Sequence, residues 1–150
     1  MKKTVVAVSI SLILIYCVKV NPDLGGGYKI LYSGGGPFFI ITNPQNSVIV
    51  NEHVLDFVFD SIYIIAAQRP FDSVPECVEE GYIYTDCRRA VLKTSTFRQY
   101  WIIDKTKESV FISEEKKHSN VFGPFNKEQY LLKRKELNIP ESLVLNVHLQ

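Results

Sequence analysis

The sequence predicts an α+β domain in which a mainly antiparallel β-sheet of short, hairpin-linked strands is followed by one C-terminal helix. Between residues 28 and 124, short runs rich in aromatic and β-branched residues alternate with polar or glycine-rich turns. These runs do not alternate with helical patterns, as the strands of a parallel sheet would. After residue 125 the hydrophobic period changes to that of a helix. A length of 150 residues fits one domain.

The first predicted strands follow one another along the chain, joined by turns that contain glycine, asparagine or aspartate. They cover residues 28–32, 38–42, 47–50, 54–59 and 62–68. The last of these, IYIIAAQ, is apolar at consecutive positions, which predicts burial on both faces and a central place in the sheet. The segment 70–94 is predicted to be irregular, with short candidate strands at 82–84 and 90–92.

Two further strands and a closing segment precede the helix. Residues 97–104 have a strand pattern, residues 109–113 are predicted to pair back on it, and residues 121–124 close the β-region. Asn126 with Gln129 forms a capping-box pattern, and Phe125 with Tyr130 a hydrophobic staple. Asn138 and Pro140 end the predicted helix. The tail 143–147 is either a final strand or an apolar cover.

The N-terminus predicts export. Lys2 and Lys3 precede an uncharged run from residue 4 to residue 18. As a helix this run would span about 22 Å, which is short for the roughly 30 Å hydrocarbon core of a bilayer but typical of a signal peptide. We therefore interpret residues 1–17 as a signal peptide or membrane anchor, 18–27 as a tether and 28–150 as a single α+β domain. The expected location is the cell envelope, with the domain facing outside the cytoplasm.

Cys17 ends the uncharged run. Leu14, Ile15 and Cys17 resemble a bacterial lipobox, but Tyr16 stands where that pattern has a small residue. Two outcomes stay open: a mature chain that begins at an acylated Cys17, or a retained short anchor. Cys77 and Cys87 could pair in an oxidising compartment and close a short loop, or remain free thiols.

Charge and motifs exclude several functions. Without Lys2 and Lys3 the chain has 15 basic and 16 acidic residues, so no field would attract nucleic acid. Neither glycine run has the lysine of a phosphate-binding loop, and zinc-protease and serine-hydrolase motifs are missing. No metal ligand set or cofactor is predicted. Aromatic residues give the best lead. Tyr100 and Trp101 should lie on opposite faces of their strand, so at least one face should carry an aromatic side chain toward solvent or a partner. Tyr100, Trp101 and Tyr63 are therefore the candidate residues of a binding surface.

The order of several short motifs resembles a family of short, uncharacterised bacterial lipoproteins that carry a domain of unknown function. The motifs are Asp-Leu-Gly-Gly-Gly-Tyr at 23–28, Tyr-Ile-Ile-Ala at 63–66, Tyr-Trp-Ile-Ile-Asp at 100–104, Gly-Pro-Phe at 123–125 and Glu-Leu-Asn-Ile-Pro at 136–140. The resemblance covers most of the mature chain. It implies export and no particular chemistry.

Three hypotheses about function follow. The first is an exported, membrane-tethered domain that binds another envelope or secreted protein; an inhibitor that gives immunity to a secreted toxin is one version. The second is a small extracytoplasmic hydrolase or ligand-processing enzyme, which requires a pocket with converging titratable side chains. The third is a purely structural tethered module.

Overall fold

A computed structural model of the chain describes residues 22–33, 38–70 and 96–146. These residues form eight strands and one helix, α1 (Lys127–Glu136). The strands are β1 (Lys29–Ser33), β2 (Phe38–Thr42), β3 (Val48–Phe59), β4 (Tyr63–Gln68), β5 (Gln99–Asp104), β6 (Phe111–Ile112), β7 (Lys117–His118) and β8 (Val121–Phe125). The predicted α+β class, with an antiparallel sheet and a C-terminal helix, is confirmed.

The main sheet has six strands in the order β1-β2-β3-β4-β5-β8, and all neighbours are antiparallel. β4 lies inside this sheet, as its uninterrupted apolar sequence predicted. Its successive side chains enter two different cores, because neighbouring residues of a strand point to opposite faces. Ile64 packs in one cluster and Ile65 in the other.

β3 is one strand of 12 residues where the sequence predicted two. The polar residues 51–53 are typical of a turn, but the chain passes through them as an irregularity within the strand. His53 has a φ of 68°, in the left-handed region, and the register shifts on both sides of it. β2 pairs with the first half of β3 and β4 with the second half. Irregularities of this kind bend and twist a strand.

The sheet curls around a core that we call cluster one. Its members come from both halves of the sheet and include Ile30, Ile41 and Val50 together with Ile64 and Ile103. Contacts join the two edges of the sheet around it. The Asn120 amide, just before β8, donates a hydrogen bond to the Tyr28 hydroxyl, just before β1, at 2.7 Å. The fold therefore closes on itself through side chains that flank its first and last strands.

Part of the predicted tether packs against this core. Leu24 is fully buried in cluster one, and Asp23 forms an isolated bridge with Lys29. Residues 22–27 therefore continue the fold ahead of β1 where the sequence suggested a linker.

The predicted pairing of 109–113 with the preceding strand is wrong. β6 pairs with β7 as a separate small hairpin, and β8 takes the place beside β5. The reason lies at Asn120. Its carbonyl accepts a hydrogen bond from the Asp104 amide at 3.0 Å, and its side chain donates to the Asp104 carbonyl at 2.9 Å. These two bonds fix the chain beside the end of β5 just as β8 begins.

α1 and the tail cover the other face of β4, β5 and β8. The predicted capping box is present: the Gln129 amide donates to Asn126 Oδ1 at 2.9 Å, and the Asn126 amide to Gln129 Oε1 at 3.1 Å. Tyr130, the predicted staple partner, is the buried residue of the helix. In the tail, Leu143 and Leu145 are buried in this second core, cluster two, so the described tail is an apolar cover and not a strand.

Candidate functional site

A groove of ≈ 750 Å³ runs between α1 and the tail. Its floor contains the buried Tyr130, Ile139 and Leu145. Its rim carries two exposed apolar side chains, Leu131 at 42% and Val144 at 52% exposure. Leu132, next to Leu131 on the helix, is 67% exposed. Because large apolar side chains are seldom exposed together without a role in binding, this surface is the strongest candidate site in the described part of the chain.

Arg134 builds the groove by holding the tail against the helix. Nη1 donates to the Tyr130 hydroxyl and to the Leu143 carbonyl, both at 2.8 Å, and Nη2 donates to the Pro140 carbonyl at 2.9 Å. A guanidinium can serve all three acceptors because its donors are fixed in a planar fork. A cation in the last turn of a helix suits the helix dipole, and Arg134 has a specific tertiary role in addition.

Tyr130 forms part of the floor of the groove. Its ring stacks on Tyr100 of β5, with centroids 4.8 Å apart and planes at 17°. Burial raises the pKa of Tyr130, and the hydrogen bond from Arg134 partly opposes this rise. The phenol therefore stays neutral at ordinary pH, as a hydrogen-bonding anchor for the floor.

The groove is amphipathic, with a small excess of positive charge. Arg134 and Lys135 line it on the helix side, and Glu141 on the tail side. Such a surface suits an apolar protein segment that carries a carboxylate, since the apolar rim would be covered and the cations approached by an opposite charge. Nothing in this lining pairs a nucleophile with a base.

The aromatic residues predicted as a binding surface are placed differently from one another. Tyr100 is buried beneath α1. Tyr63 is half-buried and donates from its hydroxyl to the Leu137 carbonyl at 3.0 Å. Burial, then Asp104 and Asp60, raise the pKa of Tyr63. Trp101 packs against cluster one on the opposite face, and its Nε1 donates to Gln68 Oε1 at 2.6 Å. The predicted opposition of Tyr100 and Trp101 is confirmed, and the surface formed by all three stays a prediction.

A polar chain of side chains connects the 43–46 turn to the β6–β7 hairpin. Ser109 Oγ lies 3.0 Å from His118 Nδ1, and the Asn43 amide donates to Ser109 Oγ at 3.4 Å. A serine within hydrogen-bonding distance of a histidine is the arrangement that activates a hydroxyl nucleophile. The groove beside α1 contains none of these three residues.

Lys105 forms a second unusual site, close to the first described residues of the chain. Its Nζ donates to the Leu24 carbonyl at 2.7 Å and to the Asp60 carbonyl. Gly25 leaves room for this side chain, because a Cβ there would lie 3.1 Å from Nζ. Burial lowers the pKa of Lys105, against the opposing influence of Asp60 and Asp23. The lysine clamps the start of the described fold to the β3–β4 turn.

Other predicted features are located as follows. Cys17, Cys77 and Cys87 lie outside the described residues, as do the candidate strands at 82–84 and 90–92. Within the described ranges, no three His, Cys, Asp or Glu side chains gather in a way that could hold a metal ion. No helix in those ranges has the length and apolar character needed to cross a bilayer.

Comparison with known proteins gives a family and no activity. A family model described as "Protein of unknown function (DUF3997)" matches residues 25–149. No curated protein and no solved structure matches the chain significantly.

Proposed function

The chain belongs to this family of proteins of unknown function, and from that premise we propose that it is an exported, membrane-tethered domain that acts by binding another protein. The segment before Cys17 would be removed as a signal peptide, and acyl chains on Cys17 would hold the mature chain at the membrane. The Cys77–Cys87 disulfide is part of the same proposal, since both depend on export. The single observation that supports binding is the groove beside α1, with its exposed Leu131 and Val144.

The groove suits a partner that presents an apolar segment with at least one carboxylate. Buried apolar contacts near the centre of an interface contribute most of its affinity, while charges at the rim mainly guide association. Leu131 and Val144, on the rim of the groove, would form the apolar centre of the interface with the partner, and Lys135 would lie at the edge of that interface. A secreted toxin bound by an immunity protein is one partner of this description, and an envelope protein is another.

The first test is an intact mass of the protein purified from native membranes, with and without reduction. A chain that begins at Cys17 and carries acyl groups supports the tether, and a gain of about 2 Da on reduction supports the disulfide. A full-length, unmodified chain whose mass does not change on reduction would contradict both.

The second test addresses the groove. A photo-crosslinking residue is placed at Leu131 in the full chain, and at Phe111 as the control, because Phe111 is 59% exposed but lies on the β6–β7 hairpin. The protein crosslinked only from Leu131 is identified, purified and titrated against the wild type and Leu131→Asp. We expect the substitution to weaken binding at least about tenfold, as for a central apolar contact. Equal affinity would contradict binding through the groove.

A small hydrolase is the second candidate, favoured by the Ser109–His118 pair. His118 Nδ1 would accept the Ser109 proton as Oγ attacks an electrophile. A fluorophosphonate probe tests this directly, because Oγ would form a bond to phosphorus and release fluoride. Labelling of Ser109 that disappears in His118→Ala would favour the hydrolase. An unlabelled Ser109 would leave binding as the proposed activity.

A further inference from the structure

The first described residues meet the β3–β4 turn at one corner of the fold. We call this the Lys105 corner and define it by Leu24, Gly25, Phe59, the turn 60–62 and Lys105. Besides its two side-chain bonds to the Leu24 and Asp60 carbonyls, Lys105 donates its backbone amide to the Ile62 carbonyl at 2.8 Å. One residue thus fixes both the entry of the chain and the turn.

Two large apolar side chains are exposed at this corner. Phe59 is 41% and Ile62 is 42% exposed, and the Lys105 ammonium lies 5.6 Å from the centre of the Phe59 ring. The corner's carboxylates are turned toward their own backbone. Asp60 Oδ1 accepts from the Ile62 and Tyr63 amides, both at 2.7 Å, and Asp23 Oδ1 accepts from the Gly25 amide at 2.8 Å. Exposed apolar side chains that lie together mark surfaces that contact another protein or a membrane.

Chain length places this corner close to the anchor. Five peptide units separate Cys17 from Pro22, and each trans unit spans about 3.8 Å, so Pro22 can lie at most about 19 Å from Cys17. Pro22 accepts a hydrogen bond from the Ile30 amide, which fixes it beside β1. A domain held at Cys17 therefore cannot turn the Lys105 corner far from the membrane.

We infer that the Lys105 corner faces the lipid bilayer and that Phe59 and Ile62 contact it. This inference rests on the proposed tether at Cys17. The contact is apolar in character, because the Lys105 ammonium already donates to the Leu24 and Asp60 carbonyls, and Asp23 and Asp60 add negative charge beside these carbonyls. It therefore forms on uncharged phosphatidylcholine and persists in high salt, which screens attraction to anionic lipid. In this orientation the bilayer contacts the corner. The groove beside α1 lies on the face of β4, β5 and β8 opposite cluster one, and it stays accessible to a protein partner.

The test uses the full acylated chain in phosphatidylcholine vesicles whose acyl chains are brominated, since bromine quenches nearby tryptophan. Phe59→Trp is compared with Leu132→Trp, which places the same reporter on the 67% exposed position of α1. Trp101 contributes equally to both chains. We expect quenching of the added tryptophan to be at least twofold greater at Phe59 than at Leu132, with no change in 0.5 M salt. Ile62→Trp repeats the measurement in the exposed turn, in case the variant at Phe59 fails to fold.

Flotation with the vesicles separates the two hypotheses. A chain that floats with its vesicles but shows equal quenching at the turn and at Leu132 overturns the inference and leaves the tether intact. A chain that does not float overturns the tether and the inference together. Quenching at the turn that requires anionic lipid, or that salt abolishes, also overturns the apolar contact. If the turn crosslinks to another protein in native membranes, and quenching in vesicles is equal at the turn and at Leu132, the inference is also overturned. The corner is then a protein interface.

Discussion

Replacing Arg134 with alanine should release the tail from α1 and open the candidate groove. The guanidinium makes three hydrogen bonds, to Tyr130, Leu143 and Pro140. A hydrogen bond to a charged group contributes about 1.5–3 kcal/mol when buried, but the bond to Pro140 is exposed and the freed carbonyls can bind water. We therefore expect a loss of about 2–3 kcal/mol in total, well below the sum of three buried bonds.

Hydrogen exchange at the Leu143 amide measures this local release. That amide donates to the Pro140 carbonyl at 3.1 Å, within the segment that Arg134 holds. A loss of 2–3 kcal/mol corresponds to exchange that is about 30- to 150-fold faster, at 1.4 kcal/mol per factor of ten. Lys135→Ala is the matched control, since Lys135 is the exposed neighbour on the same groove. Arg134→Lys should give an intermediate effect, because an ammonium lacks the planar fork.

Equal changes in the exchange rate of the Leu143 amide in Arg134→Ala and Lys135→Ala would show that Arg134 does not hold the tail. The tail would then be held by burial of Leu143 and Leu145 alone. If the tail is released as expected, Arg134→Ala should also weaken partner binding through the groove, although Arg134 itself need not touch the partner.

Three further predictions concern stability, each measured by urea unfolding. Burial raises the pKa of Tyr130 above its ordinary 10.0, so the hydroxyl ionises at a lower pH in the unfolded chain than in the folded one. The stability that the neutral Tyr130 contributes is therefore fully present below pH 10 and is lost as the pH rises through the pKa of the folded state. Tyr130→Phe should reduce this loss. Gly123→Ala should reduce the free energy of unfolding by about 3 kcal/mol or more, because φ is 127° and a Cβ would lie 2.7 Å from the Tyr100 carbonyl oxygen. Gly26→Ala should cost only about 1–2 kcal/mol, because φ is 65° and no atom would lie closer than 3.7 Å to the added Cβ. Equal costs would contradict a steric clash at Gly123. Asn120→Ala removes two buried donors and should cost about 2–3 kcal/mol; an unchanged midpoint would show that the edges of the sheet do not depend on this residue.

Local signals in the sequence predicted most of the main sheet and the helix. β1, β2 and β4 follow from turn residues between β-rich runs, and the helix start follows from Asn126 and Gln129. The polar residues 51–53 predicted a break that β3 does not have. Which strands pair with each other was harder to predict. Whether β6 or β8 lies beside β5 depends on how Asn120 bonds to the backbone of Asp104, and no periodicity encodes that exchange.

The candidate site was predicted only in part. Aromatic residues drew attention to β5, and Tyr100 does support the groove, but from below, where it packs against Tyr130. Arg134 was missed because a cation in the last turn of a helix already has a local explanation in the helix dipole. Its role depends on the tail folding back, and a residue's own neighbours in sequence do not reveal that contact. The apolar tail at 143–147 was the one available signal.

The pairing of β4 with β5 has a consequence for how the chain can vary. Gln68 and Gln99 are direct partners across the sheet, so the 30 residues from 69 to 98 leave and rejoin it at one point. The entropy of closing a connection between two paired strands grows only slowly with the length of the connection, so this point is a natural site for insertion or shortening. Cys77 and Cys87 both lie within the 69–98 segment, and a bond between them would cross-link that segment to itself. Each half of the chain, the meander before residue 68 and the strand–helix unit after residue 99, can then keep its pairing while the segment between them evolves separately.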